Sequence, residues 1–115
     1  MTAGTPASQI TDWPSFFEQI RRRPAMWLDE PSLLALKNLI RGIELAEFLY
    51  GVPEGRLLGG FSFLEFERWV EEQFNPDRLM HDSFTLARLS SASEEEAFHK
   101  WLGWYDRFRA EREPL

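Results

Sequence analysis

Cysteine is absent from this chain, and histidine occurs only twice, at His81 and His99. Without cysteine there is no disulfide framework, no thiolate nucleophile and no thiolate zinc site, and nothing argues for an oxidising compartment. Two histidines are too few for the usual imidazole-based metal or nucleophile arrangements, so no cofactor and no metal is expected. Long apolar runs are missing too. None approaches the roughly 20 residues of a membrane span, and Met1 to Gln9 lacks the basic and apolar regions of a secretory signal. A cytoplasmic protein with no membrane partner is the expectation, with residues 1–11 as a flexible tail.

Nor is there an excess of basic residues. The 115 residues carry a formal charge of -6, and a negative field disfavours nucleic acid as a partner. Residues 1–42 sum to +1 and residues 43–115 to -7, which places the acidity in the C-terminal part and suits a basic protein partner. Solubility alone also accounts for a charge of this size.

What the chain has in quantity is aromatic surface: ten Phe, five Trp and two Tyr. A chain of this length fits one domain, here 12–115, in which aromatic packing dominates the core. The apolar spacing is helical throughout. A first helix is predicted from about Asp12 to Arg23, capped by Thr11 or Asp12, with Pro14 in its first turn and Pro24 as its stop; Trp13, Phe16, Phe17 and Ile20 face inward. Arg21 to Arg23 complement the negative end of its dipole.

Pro24 to Pro31 reads as an ordered connector whose Met26, Trp27 and Leu28 fold back on the core. The second helix is predicted from about Pro31 to Tyr50, capped by Asp29 or Glu30 and closed by Gly51, with a stripe that includes Leu33, Leu36, Ile40, Leu49 and Tyr50. Gly51 to Gly60 reads as a flexible connection. It lacks the Lys-Ser/Thr ending of a phosphate loop.

The third helix opens with a Ser62–Glu65 capping box and a Phe61–Phe66 staple, burying Phe63, Phe66, Trp69, Val70 and Phe74. A short segment follows, capped by Ser83 and carrying Phe84, Leu86, Ala87 and Leu89; helix is favoured there, with strand left open. The last helix begins at Ser93, whose box partner is Glu96, and its stripe is Ala97, Phe98, Trp101, Leu102, Tyr105 and Phe108. The expected fold is all-α, a compact bundle of four main helices plus one short one.

No set of residues spells out a catalytic machine. His81-Asp82-Ser83 are adjacent, whereas triad members are brought together from distant positions. His99 lies one turn after Glu95 and suits an exposed pair. The carboxylates Glu71, Glu72, Glu94 and Glu95 sit on predicted polar faces as a docking patch for a basic partner. Trp27 and Trp104 fall off the core stripes and are candidate interface anchors. An alternative is a small-ligand binder or enzyme with an inter-helix pocket lined by Trp27, Trp69, Trp101 and Tyr105, with His99 supplying polarity. A homodimer through an exposed aromatic face is a third.

Arg23-Pro24-Ala25-Met26-Trp27-Leu28 followed by Ser32-Leu33-Leu34-Ala35-Leu36 resembles a group of small bacterial helical proteins in which an Arg-Pro-x-Met-Tyr segment precedes a Ser-Leu-x-x-Leu helix. Phe63 to Phe74 and Ser93 to Phe98 look like its later blocks. Trp27 stands where that group carries Tyr, and Asp29 where it carries Gly. The resemblance implies an association with bacterial toxin loci, and hence an immunity or binding role, and it implies no catalytic residues. The Arg-Pro-x-Met segment is also similar to one near the start of gyrase-type ATPase domains, but their Asp-x-Gly-x-Gly motif and longer α/β sandwich have no counterpart here.

Overall fold

In a computed structural model of the chain, residues 10–53, 58–77 and 79–112 are described. Most of the expected tail, residues 1–9, and the middle of the glycine-rich connection, residues 54–57, lie outside them. The described residues form six helices and no strand: α1 (Trp13–Arg22), α2 (Pro24–Leu28), α3 (Leu33–Leu49), α4 (Phe63–Phe74), α5 (Ser83–Leu89) and α6 (Glu94–Arg112). The fold is all-α, and the segment left between helix and strand, residues 83–90, is helix α5 over Ser83–Leu89 with Ser90 as its C-cap. The chain divides into two units, residues 1–30 with 38–61 and residues 31–37 with 62–115, so α3 gives its first turn to the second unit and the remainder to the first.

In the first unit, Asp12 caps α1. Its carboxylate accepts from the Ser15 N–H at 2.8 Å while the Ser15 hydroxyl accepts from the Asp12 N–H at 3.1 Å, a reciprocal box that ties off two of the helix's orphan donors. The Trp13 N–H donates to the Gly59 carbonyl at 2.9 Å. Gly60 beside it has φ +79°, and a Cβ there would meet Asp12 and Pro14 at 3.4 Å. Trp13, Phe16, Phe17 and Ile20 are buried as expected. Phe17 stacks on Trp13 at 5.6 Å and meets Phe61 edge-on at 5.8 Å.

Pro24 does stop α1, but it also starts another helix, because a proline suits the first position where no N–H partner is needed. In α2 the three apolar residues separate: Leu28 is buried, Trp27 half-buried against Phe16, and Met26 exposed, since one helical turn cannot turn three consecutive side chains to the same face. Asp29 ends α2 with φ 73°. It is therefore in the left-handed region, and among the described residues it caps no N–H at the start of α3. Ser32 takes that role, its hydroxyl accepting from the Ala35 N–H at 3.2 Å.

At its other end α3 closes with a Schellman motif. The Val52 N–H donates to the Glu47 carbonyl at 2.9 Å and the Gly51 N–H to the Phe48 carbonyl at 3.3 Å, with Gly51 at φ +67°. The stop is where the sequence put it, but the stripe is not. Leu33, Leu36 and Ile40 are buried, whereas Leu49 and Tyr50 are exposed and Glu47 is buried in the last turns.

In the second unit α5 packs on α6, and α4 packs on both. All six residues of the predicted α6 stripe are buried. Phe66, Trp69 and Val70 are buried on α4, with Phe63 and Phe74 half-buried. The two expected capping boxes are only half made. Ser62 accepts from the Glu65 N–H at 3.2 Å, but the Glu65 carboxylate pairs with Arg112 at 3.0 Å. Ser93 accepts from the Glu96 N–H at 3.1 Å, while the Glu96 carboxylate reaches one residue further, to the Ala92 N–H at 2.9 Å. For α5 the cap is Asp82, which accepts from the Thr85 N–H at 2.8 Å, and Ser83 is the first helical residue.

Candidate functional site

Phe74 ends α4 and Trp104 lies in the middle of α6. Their rings stack at 4.4 Å with an interplanar angle of 14°. Both are half-buried, and together with Leu86, Leu89, Ser90 and Lys100 they line an open groove of about 530 Å³ in the second unit. The Lys100 ammonium donates to the Ser90 carbonyl and, at 3.2 Å, to its hydroxyl, which holds α6 to the end of α5. The Arg107 guanidinium lies 5.6 Å from the Phe74 ring centroid, so this aromatic wall already faces a cation. Glu71 and Glu72 are exposed on the last turns of α4, with Glu71 one turn before Phe74 on the same face.

The remaining acidic residues named from sequence are elsewhere. Trp104 is ten residues beyond Glu94, which places Glu94 and Glu95 about 15 Å away along α6. The four carboxylates therefore form two clusters. Glu94 is also already engaged: its Oε1 accepts from the Leu34 N–H at 2.8 Å and the Ser32 hydroxyl at 3.3 Å, and its Oε2 from Arg88 Nε at 2.7 Å. Partial burial would raise its pKa, but the Leu34 N–H, the Arg88 guanidinium and the Ser32 hydroxyl outweigh it and hold the carboxyl below its ordinary value. Glu95 and His99 form the loose exposed pair the spacing suggested, at 4.0 Å.

The aromatic pocket expected around Trp69, Trp101 and Tyr105 is filled by its neighbours. Trp101 is wholly buried, with Phe84 stacked at 5.1 Å and Phe66 edge-on at 5.2 Å. Its indole N–H donates to the Ser83 hydroxyl at 2.8 Å, and that hydroxyl donates to Glu67 Oε2 at 2.5 Å. Trp69 donates to Glu111 at 2.9 Å. Trp27 belongs to the first unit, where its indole N–H is buried with no acceptor among the described residues.

Sequence reasoning missed Glu67 and read Ser83 only as a helix cap. The signal was present: Glu67 lies four residues after Phe63 and three before Val70, inside the apolar stripe of α4, where a carboxylate must find partners. Among the described residues no group of three or more His, Asp or Glu could hold a metal ion, and no helix is long and apolar enough to cross a membrane. No family model, no curated protein and no solved structure matches the chain.

Proposed function

We propose that this chain is a non-enzymatic interaction protein of the cytoplasm that docks a basic protein partner, in the manner of an immunity protein neutralising a toxin. The observation that carries this reading is the half-exposed Phe74–Trp104 stack beside Glu71 and Glu72. Stacked aromatics in an open groove supply the anchoring surface typical of interface hot spots, and the neighbouring carboxylates supply steering for positive charge. The acidic excess of residues 43–115 acts in the same direction.

The test is association with a basic protein encoded beside this gene, followed over a range of salt. Glu71→Lys with Glu72→Lys is expected to slow association about tenfold at low salt, with the effect fading as salt screens the charges. Trp104→Ala is expected to speed dissociation by tenfold or more. Unchanged rates in both variants would refute the assignment. Glu94→Lys is not a fair probe of docking, because it removes the partner of Leu34, Ser32 and Arg88.

A further inference from the structure

Also in the second unit, and sharing Leu89 with the Phe74–Trp104 groove, the first turn of α3, the length of α5 and the start of α6 surround an open cleft of about 200 Å³. Leu34, Phe84 and Leu89 form its apolar surface, and Lys37, Arg88 and Glu94 supply its charge. Leu34 and Leu89 stand exposed. The volume exceeds the roughly 150 Å³ that accepts a benzene ring but falls short of the roughly 300 Å³ at which drug-sized sites begin. One ring or one short alkyl chain is the largest occupant it suits.

The charges decide what that occupant carries. Arg88 is committed to Glu94 at 2.7 Å and to the Ser91 carbonyl at 3.2 Å. Glu94 is committed in turn to Arg88, Leu34 and Ser32. Lys37 is not: it is half-buried, its ammonium 6.0 Å from the Phe84 ring centroid, and it makes no hydrogen bond or ion pair with the described residues. Two cations against one engaged carboxylate leave the cleft positive, in a chain whose formal charge is -6. A cationic ligand would meet Lys37 and Arg88, a neutral one would leave Lys37 unpaired, and a second acidic group on the ligand would face Glu94.

We propose that this cleft binds a small apolar monocarboxylate, its ring or chain against Phe84, Leu34 and Leu89 and its carboxylate on the Lys37 ammonium. The test uses the full chain, with 3-phenylpropionate as the probe and 3-phenylpropanamide as its uncharged counterpart. Binding is read from amide shifts over Leu34–Lys37 and Phe84–Leu89 and from the indole N–H of Trp101, which stacks on Phe84. The acid is expected to bind about tenfold more tightly than the amide, as a charge-assisted contact requires. Lys37→Met is expected to erase that preference and Lys37→Arg to retain it, both with unchanged helix content. Equal binding of acid and amide to the native chain, a preference that survives Lys37→Met, or shifts confined to other parts of the chain would each overturn the proposal.

Discussion

A single hydroxyl joins three helices of the second unit. The Ser83 side chain at the start of α5 donates to Glu67 of α4 and accepts from Trp101 of α6, while the Ser83 N–H donates to Glu67 Oε1 at 2.7 Å. Ser83 is wholly buried, so water cannot replace what the hydroxyl supplies. Ser83→Ala leaves a carboxylate and an indole N–H without that partner in a low-dielectric interior, and is expected to cost about 1–3 kcal/mol. Urea unfolding followed by Trp fluorescence measures it; a loss below about 0.5 kcal/mol would show that the network is dispensable. The same hydroxyl explains why His81-Asp82-Ser83 is no nucleophile relay. Asp82 is occupied by the Thr85 N–H, and Ser83 is sealed among α4, α5 and α6.

Between elements, glutamates cap helices that are not their own. Glu94, the first residue of α6, closes the start of α3 across 60 positions of sequence by accepting from the Leu34 N–H; Glu67 does the same for α5. Four N–H groups at each helix start need acceptors, and any carboxylate brought within reach satisfies them and the helix dipole together. Glu94→Ala is expected to destabilise the fold by about 1 kcal/mol at neutral pH, a figure already reduced for the exposure of its pair with Arg88. Because the folded-state pKa is lowered from the ordinary 4.5, the stabilisation is present above that value and is lost as pH falls through the depressed one. The difference between native chain and variant should therefore shrink as pH falls below the ordinary carboxylate value and through the depressed one, as denaturant titrations paired at neutral and at acid pH would reveal. A difference independent of pH would mean that the carboxylate's charge is irrelevant. Helix ends were legible wherever the cap was local, as at Asp12, Ser62 and Gly51. The reciprocal halves of two boxes were misread, at Glu65 because the distant Arg112 takes its carboxylate and at Glu96 because the Ala92 N–H lies within its reach.

At the scale of the whole chain, negative charge and exposed apolar surface work against each other. Phe48 and Tyr50 are 81% and 83% exposed at the end of α3, and a formal charge of -6 keeps copies of the chain apart. Light scattering is expected to rise as pH drops from 7 towards the isoelectric point of about 4.9, where that repulsion vanishes. The charge-neutral variant Phe48→Ser should blunt the rise; an identical rise would place the sticky surface elsewhere. The sequence by itself determined the all-α class, most helix boundaries and the buried stripe of α6, because helical periodicity, prolines and local caps act within a few residues. The tertiary structure alone decided that Leu49 and Tyr50 at the end of the α3 stripe are exposed, that Glu94 is a clamp, and that Phe74 and Trp104 share a groove. Each depends on which surfaces meet, and no window of sequence contains both partners.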